Sequence, residues 1–193
     1  MTSADKITSI RLILAPVFFI VYFIPVWFPA LGALWTVPVL WVLFIIAELT
    51  DLFDGLVARS MNEVSDFGKL FDPFADTLVR ITYFLCFVVD GILPALLLMI
   101  VLYREFGILF LRTLMMKLGI AMGARSGGKL KAVAYMIAGI LALIAASLRR
   151  VWHNAALYDL TKTAAIIIFA ISVIISLGSF IDYYRVYKNA KNK

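Results

Sequence analysis

Six apolar runs of about twenty residues, near 10–28, 33–58, 70–90, 92–115, 130–148 and 161–184, leave this chain few ways to fold. A helical run of that length spans the hydrocarbon core of a bilayer, where backbone N–H and C=O groups must find partners within the protein. Hydrophobic residues are 64% of the chain and its mean hydropathy is +1.00; a soluble domain has about 45–50% apolar residues. The expected fold is an all-α integral membrane protein with six transmembrane helices. No linker, low-complexity tract or clear internal repeat interrupts it, so a single domain over residues 1–193 is expected. The first run is long and lacks a small-residue cleavage site, and it reads as a retained span rather than a leader.

Positive charge tends to stay on the cytoplasmic side of a membrane. Lys6 and Arg11 precede or open the first span, and Arg59 and Lys69 lie in the second connection. Lys117, Arg125, Lys129 and Lys131 lie in the fourth, and Arg185, Lys188, Lys191 and Lys193 in the tail. Both termini are therefore expected in the cytoplasm, although Arg149 and Arg150 put positive charge on the opposite side. The net charge of +6 fits attraction to anionic lipid headgroups and does not point to nucleic acid. Trp27, Trp35, Tyr22 and Tyr158 stand near span ends as expected interface anchors. Cys86, the one cysteine, falls inside a span and reads as a small buried residue with no internal disulfide open to it.

Against this background the stretch Leu49 to Asp76 gathers acids in hydrocarbon. Asp51 and Asp54 are three residues apart at the end of the second run, and Asp72 and Asp76 are four apart at the start of the third. At helical spacing each pair shares a face. A short polar connection makes the two helices antiparallel neighbours, so the four carboxylates can converge. Such a cluster requires compensating cations or proton uptake. An oxygen-only donor set selects hard divalent ions, Mg2+ with Mn2+ or Ca2+ as substitutes, and has room for two. Gly55 and Gly68 lie on the faces of the acids, where a ligand can approach the backbone, and Arg59 offers a fork suited to phosphate. Together these residues describe a pyrophosphate site.

The pattern Asp51-x2-Asp54-Gly55-x2-Ala58-Arg59-x8-Gly68-x3-Asp72-x3-Asp76 resembles the CDP-alcohol phosphotransferase signature, agreeing at eight positions over 26 residues. The resemblance implies a membrane enzyme, usually homodimeric, whose cytoplasm-facing cavity joins an alcohol to the phosphate of a CDP-linked lipid and releases CMP. It implies that Asp51, Asp54, Asp72 and Asp76 hold two divalent ions and that Asp76 also takes the acceptor hydroxyl's proton. Gly55, Ala58, Arg59, Ser65 and Gly68 then surround the CDP part of the donor.

A second resemblance bears on the acceptor. Arg104-Glu105-Phe106, Leu111-Arg112 and Gly128-Lys129-Leu130-Lys131 are similar to the bacterial phosphatidylglycerophosphate synthase branch of that family, as is the opening stretch through Thr8, Arg11 and Pro16. The branch implies CDP-diacylglycerol as donor, with Thr8 at its site, and glycerol 3-phosphate as acceptor, its phosphate met by Arg104, Arg112, Lys129 and Lys131. It also implies the bacterial cytoplasmic (inner) membrane. An inositol phosphate, phosphatidylglycerol or serine acceptor is open within the same family. Outside it, intramembrane acids and arginines also mark ion-coupled transporters.

Overall fold

The computed structural model describes residues 3–61, 68–117, 119, 126–152 and 154–191, with side chains described at 8–50, 68, 71–117, 119, 130–152 and 154–189. Six long helices account for nearly all of them: α1 (Ser3–Trp27), α2 (Thr36–Met61), α3 (Gly68–Val89), α4 (Ala95–Lys117), α5 (Ser126–Ser147) and α6 (Ala155–Lys191). A 3-10 turn at Pro29–Leu31 follows α1, and a π-helical turn at Leu148–Trp152 ends α5. Among the described residues there is no strand.

α1, α5 and α6 contain stretches long and apolar enough to cross a membrane, at Thr8–Trp27, Leu130–Trp152 and Ala155–Asn189. α3 and α4, of 22 and 23 residues, are about 33–35 Å long at helical rise and would reach as far. Their charged side chains, Asp72, Asp76 and Arg80 on one and Arg104, Glu105 and Arg112 on the other, make them less apolar. Those same side chains build the polar interior. The sixth helix begins at Ala155 rather than 161, because Asn154 accepts a hydrogen bond from the Leu157 N–H at 3.1 Å and caps the first turn.

The helix pairings follow from side-chain contacts. Thr8 meets Asp72, Arg11 meets Asp76 and Tyr22 meets Asp90, so α1 and α3 run parallel. Arg104 meets Ser176 and Arg112 meets Tyr183, so α4 and α6 run parallel as well. α2 and α5 are antiparallel, with Trp41 on Ser147 and Phe44 beside Gly139. Each odd-numbered helix is thus opposite in direction to an even-numbered neighbour wherever the contacts define both. The expected α2–α3 pair is less direct than its short connection suggests. α1 packs along both helices, while α2 reaches α3 through Phe44, 5.2 Å from Tyr83 between ring centroids, and through Glu48.

One apolar core joins all six helices, with Tyr22, Tyr83, Phe84, Phe87, Tyr135 and Phe169 at its centre. Cys86 lies in this core as a buried free thiol. Tyr22 belongs there too, and this corrects its reading as an interface anchor. It is fully buried because its ring stacks on Phe18 and its hydroxyl donates to Asp90 Oδ2 at 2.7 Å. The small residues Ala138, Ala142, Ala145 and Ala146 are buried within this chain, where they let α5 lie close to its neighbours. A Cβ on Gly139 would stand 2.9 Å from Phe44 Cζ, and Phe44 is itself held against Tyr83. Gly139→Ala is therefore expected to cost about 1–3 kcal/mol by overpacking, read as a lowered melting temperature in detergent.

The far end of the bundle explains the two arginines that oppose the charge rule. Arg149 forms an ion pair with Asp90 and donates to its carbonyl at 2.9 Å. Arg150 donates to Tyr22 O at 3.0 Å and Thr36 Oγ1 at 3.3 Å, and lies 4.1 Å from the centre of the Tyr22 ring. Both are engaged within the fold and so count for little as topogenic charge.

α3 ends through Gly91, whose φ of +72° a glycine adopts without strain, while the Ile92 N–H returns to Phe87 O at 2.8 Å. At its other end the helix starts at Gly68, which makes Pro73 its sixth residue. The carbonyl of Pro73 accepts from Thr77 Oγ1 at 2.8 Å.

Candidate active site

Asp72 and Asp76 lie one turn apart on α3, facing α1. The parallel packing of α1 sets Thr8 and Arg11, three residues apart, against them in register. Thr8 Oγ1 donates to Asp72 Oδ1 at 2.6 Å, and the Arg11 guanidinium forms an ion pair with Asp76. Thr8 and Arg11 are buried, whereas the Asp76 side chain keeps about a fifth of its surface exposed. A carboxylate held this way by a buried cation has its oxygens fixed and still opens onto a cleft. The cleft is lined by Arg11, Ala47, Glu48, Asp76, Val79 and Arg80. On its α2 side Glu48 accepts from the Tyr83 hydroxyl at 3.3 Å.

A second polar group lies between α4, α5 and α6. Glu105 accepts from Arg104 NH1 at 2.9 Å through one oxygen and from Lys131 Nζ at 2.8 Å through the other. Arg104 also donates to Ser176 O at 3.0 Å and Ser179 Oγ at 3.2 Å. All three charged residues are buried. One carboxylate thus ties α4 to α5, and one guanidinium ties α4 to α6. Arg112 is separate, half-buried with its guanidinium 5.8 Å from the centre of the Tyr183 ring. Its Nε is buried with no hydrogen-bond partner among the described residues.

Several expected site residues have side chains outside the described ones. Asp51, Asp54, Gly55, Ala58 and Arg59 lie on the last three turns of α2 and Lys129 in the first turn of α5, with side chains outside the described residues. Ser65 is outside the described residues altogether. Gly68 is the first residue of α3 and is buried. Among the described residues no set of three or more His, Cys, Asp or Glu side chains surrounds one point. Asp72 and Asp76 nevertheless fit a hard cation, being carboxylates one turn apart beside the Thr8 hydroxyl with no nitrogen or sulfur ligand between them.

The sequence profile of CDP-alcohol phosphatidyltransferases matches residues 1–178, which include the charged residues of both polar groups and every helix but the end of α6. The chain belongs to this family. It is 36% identical to the CDP-diacylglycerol–glycerol-3-phosphate 3-phosphatidyltransferase of Treponema pallidum, across 97% of this chain and 89% of that one. The Bacillus subtilis protein of the same name is 35% identical across 69% of this chain and 72% of its own. A probable phosphatidylglycerophosphate synthase of Mycobacterium tuberculosis is 28% identical across 93% and 78%.

Within this CDP-alcohol phosphatidyltransferase three charged residues join the site that the acid spacing alone did not single out. Arg11 does so through helix pairing over 65 positions, which no local pattern reveals. Glu48 and Arg80 carry a signal that could have been read. Glu48 precedes Asp51 by three residues and Arg80 follows Asp76 by four, so each continues an acidic face by one helical step.

Proposed function

We propose that this transferase moves a phosphatidyl group from CDP-diacylglycerol to sn-glycerol 3-phosphate, giving phosphatidylglycerophosphate and CMP. The observation that carries this reading is the similarity to the Treponema pallidum enzyme over nearly the full length of both chains. In the proposed reaction the acceptor's hydroxyl oxygen attacks the lipid-bearing phosphorus, a new P–O bond forms and the bond to CMP breaks. Asp76, fixed by Arg11, receives the hydroxyl proton.

Asp51, Asp54, Asp72 and Asp76 would hold two Mg2+ ions, which when bound supply positive charge to the pyrophosphate. Mn2+ or Ca2+ could occupy the same oxygen donors. Thr8, Gly55, Ala58, Arg59, Ser65 and Gly68 surround the CDP part of the donor, Thr8 doing so while it orients Asp72. Arg104, Arg112, Lys129 and Lys131 form the basic wall for the acceptor's phosphate. In that wall Arg104 and Lys131 are preset by Glu105 rather than loose in solvent.

The same reading has six spans in one domain, both termini in the cytoplasm, the site facing that side of the bacterial inner membrane, and a homodimer. The parallel α1–α3 and α4–α6 pairs and the antiparallel α2–α5 pair support alternating spans. The core shared by six helices supports one domain.

The test is direct. Purified protein is given CDP-diacylglycerol and Mg2+ with glycerol 3-phosphate, inositol phosphate, serine or phosphatidylglycerol in parallel, and CMP release is measured. Glycerol 3-phosphate is expected to be the best acceptor, and a higher rate with any other would overturn the assignment. Chelation with EDTA is expected to abolish turnover and added Mg2+ to restore it. Undiminished CMP release in EDTA would rule out the divalent ions.

A further inference from the structure

Arg80 lies on the face of α3 that already carries Asp72 and Asp76, one helical turn beyond the second of them. It lines the same cleft as Asp76, Arg11 and Glu48. It is also within electrostatic reach of Glu105, Lys131 and Tyr135. Arg80 is therefore a cation near both the carboxylate next to the proposed reaction centre and the buried group on α4 and α5. We propose that Arg80 is a specificity-determining contact for the phosphate of the acceptor, placed to measure the distance from the attacking hydroxyl at Asp76.

Length supports this. An acceptor with three carbons between its reacting hydroxyl and its phosphate ester is about as long as one helical turn, roughly 5.4 Å of rise. With the hydroxyl at Asp76, its phosphate comes to the level of Arg80.

The chemistry of the neighbours supports it too. Arg104 directs its guanidinium to Ser176, Ser179 and Glu105 and is almost wholly buried. Lys131 is held by Glu105. These two contacts fix the wall, and Arg80, on the cleft itself, adds a planar fork of five N–H donors, more than one carboxylate uses. A fork of that kind grips a phosphate through two parallel hydrogen bonds, which a lysine cannot do. An uncharged triol of the same length would offer that fork no anion.

This inference rests on the proposed glycerol 3-phosphate reaction, and one assay separates the two. Initial rates of CMP release are measured for the wild type, Arg80→Gln and Arg80→Lys, varying glycerol 3-phosphate and CDP-diacylglycerol in turn, with glycerol as an uncharged acceptor and a thermal melt of each protein. If the wild type does not use glycerol 3-phosphate, the reaction assignment fails first. If it does, Arg80→Gln is expected to raise KM for glycerol 3-phosphate about 10- to 100-fold, as for a lost charge-assisted hydrogen bond. KM for CDP-diacylglycerol should stay within about twofold, and the preference for glycerol 3-phosphate over glycerol should fall by a similar 10- to 100-fold. An unchanged KM for glycerol 3-phosphate, or an equal rise in both KM values, overturns the proposal, because a cation that merely balances the fold would act on both substrates or on neither. Should Arg80→Gln fail to fold, Arg80→Lys carries the test. It keeps the charge and loses the fork, so a selective rise in the acceptor KM is expected, and no rise refutes the assignment.

Discussion

Glu105→Ala is expected to destabilise the purified protein by about 3–5 kcal/mol, the cost of breaking a buried charge pair from one side. The arithmetic begins with geometry. Glu105 takes Arg104 on one oxygen and Lys131 on the other, at 2.9 and 2.8 Å, and all three side chains are at least nine-tenths buried. Water and salt screen such a cluster little, so the discount that applies to surface ion pairs does not apply here. Removing the carboxylate leaves two cations facing each other. Arg104 keeps Ser176 and Ser179, whereas Lys131 keeps, among the described residues, the Tyr135 ring, 5.4 Å from its ammonium. Glu105→Gln should lose less, because an amide oxygen still accepts one hydrogen bond. The double variant Glu105→Ala/Lys131→Met should recover most of the loss, since an apolar residue in place of the second charge removes the orphan. Melting temperatures in detergent for the three proteins decide this, and an unaltered melt for Glu105→Ala would show that the triad contributes no stability.

That triad also shows where sequence reading stops. Each of the six apolar runs coincides with a long helix, and three of those helices are apolar enough to cross a membrane, since a span must be apolar for about twenty residues. Hydropathy missed the start of α6, where Tyr158 and Asp159 break the apolar run although the backbone is already helical from Ala155. Helical spacing placed Asp72 and Asp76 on one face, and the same rule extended one step finds Arg80. Spacing along one helix says nothing about which other helix faces it. Thr8 and Arg11 are 64 and 65 residues from their carboxylate partners, and only the parallel packing of α1 on α3 brings them there. For the same reason Arg104 and Lys131 read in the sequence as two contacts to an acceptor's phosphate, and the fold adds that both are clamped on Glu105. Arg149 and Arg150 read as topological charges and are instead bound to Asp90, Thr36 and Tyr22.

Asp76→Asn is expected to lower kcat by about 10²–10⁴-fold, the usual contribution of a positioned general base. The substitution is close to isosteric, and the amide oxygen can still accept from Arg11, so the helix pair α1–α3 keeps its contact. What it removes is the ability to take a proton, together with one of the negative charges that would hold the divalent ions. The ion pair with buried Arg11 holds the carboxylate in place before the acceptor arrives. The usefulness of Asp76 then depends on position, with the hydroxyl brought into the cleft beside it and other polar contacts holding the acceptor's far end. If Asp76 acts through proton transfer, Asp76→Asn should retain donor binding and a melt close to that of the wild type while turnover falls. Asp76→Ala should lose both, because it also leaves Arg11 buried without its anion. Near-normal kcat in Asp76→Asn would sink the base assignment, and a collapsed melt in that variant would move Asp76 from chemistry to structure. The two readouts together separate a proton acceptor from a counter-ion.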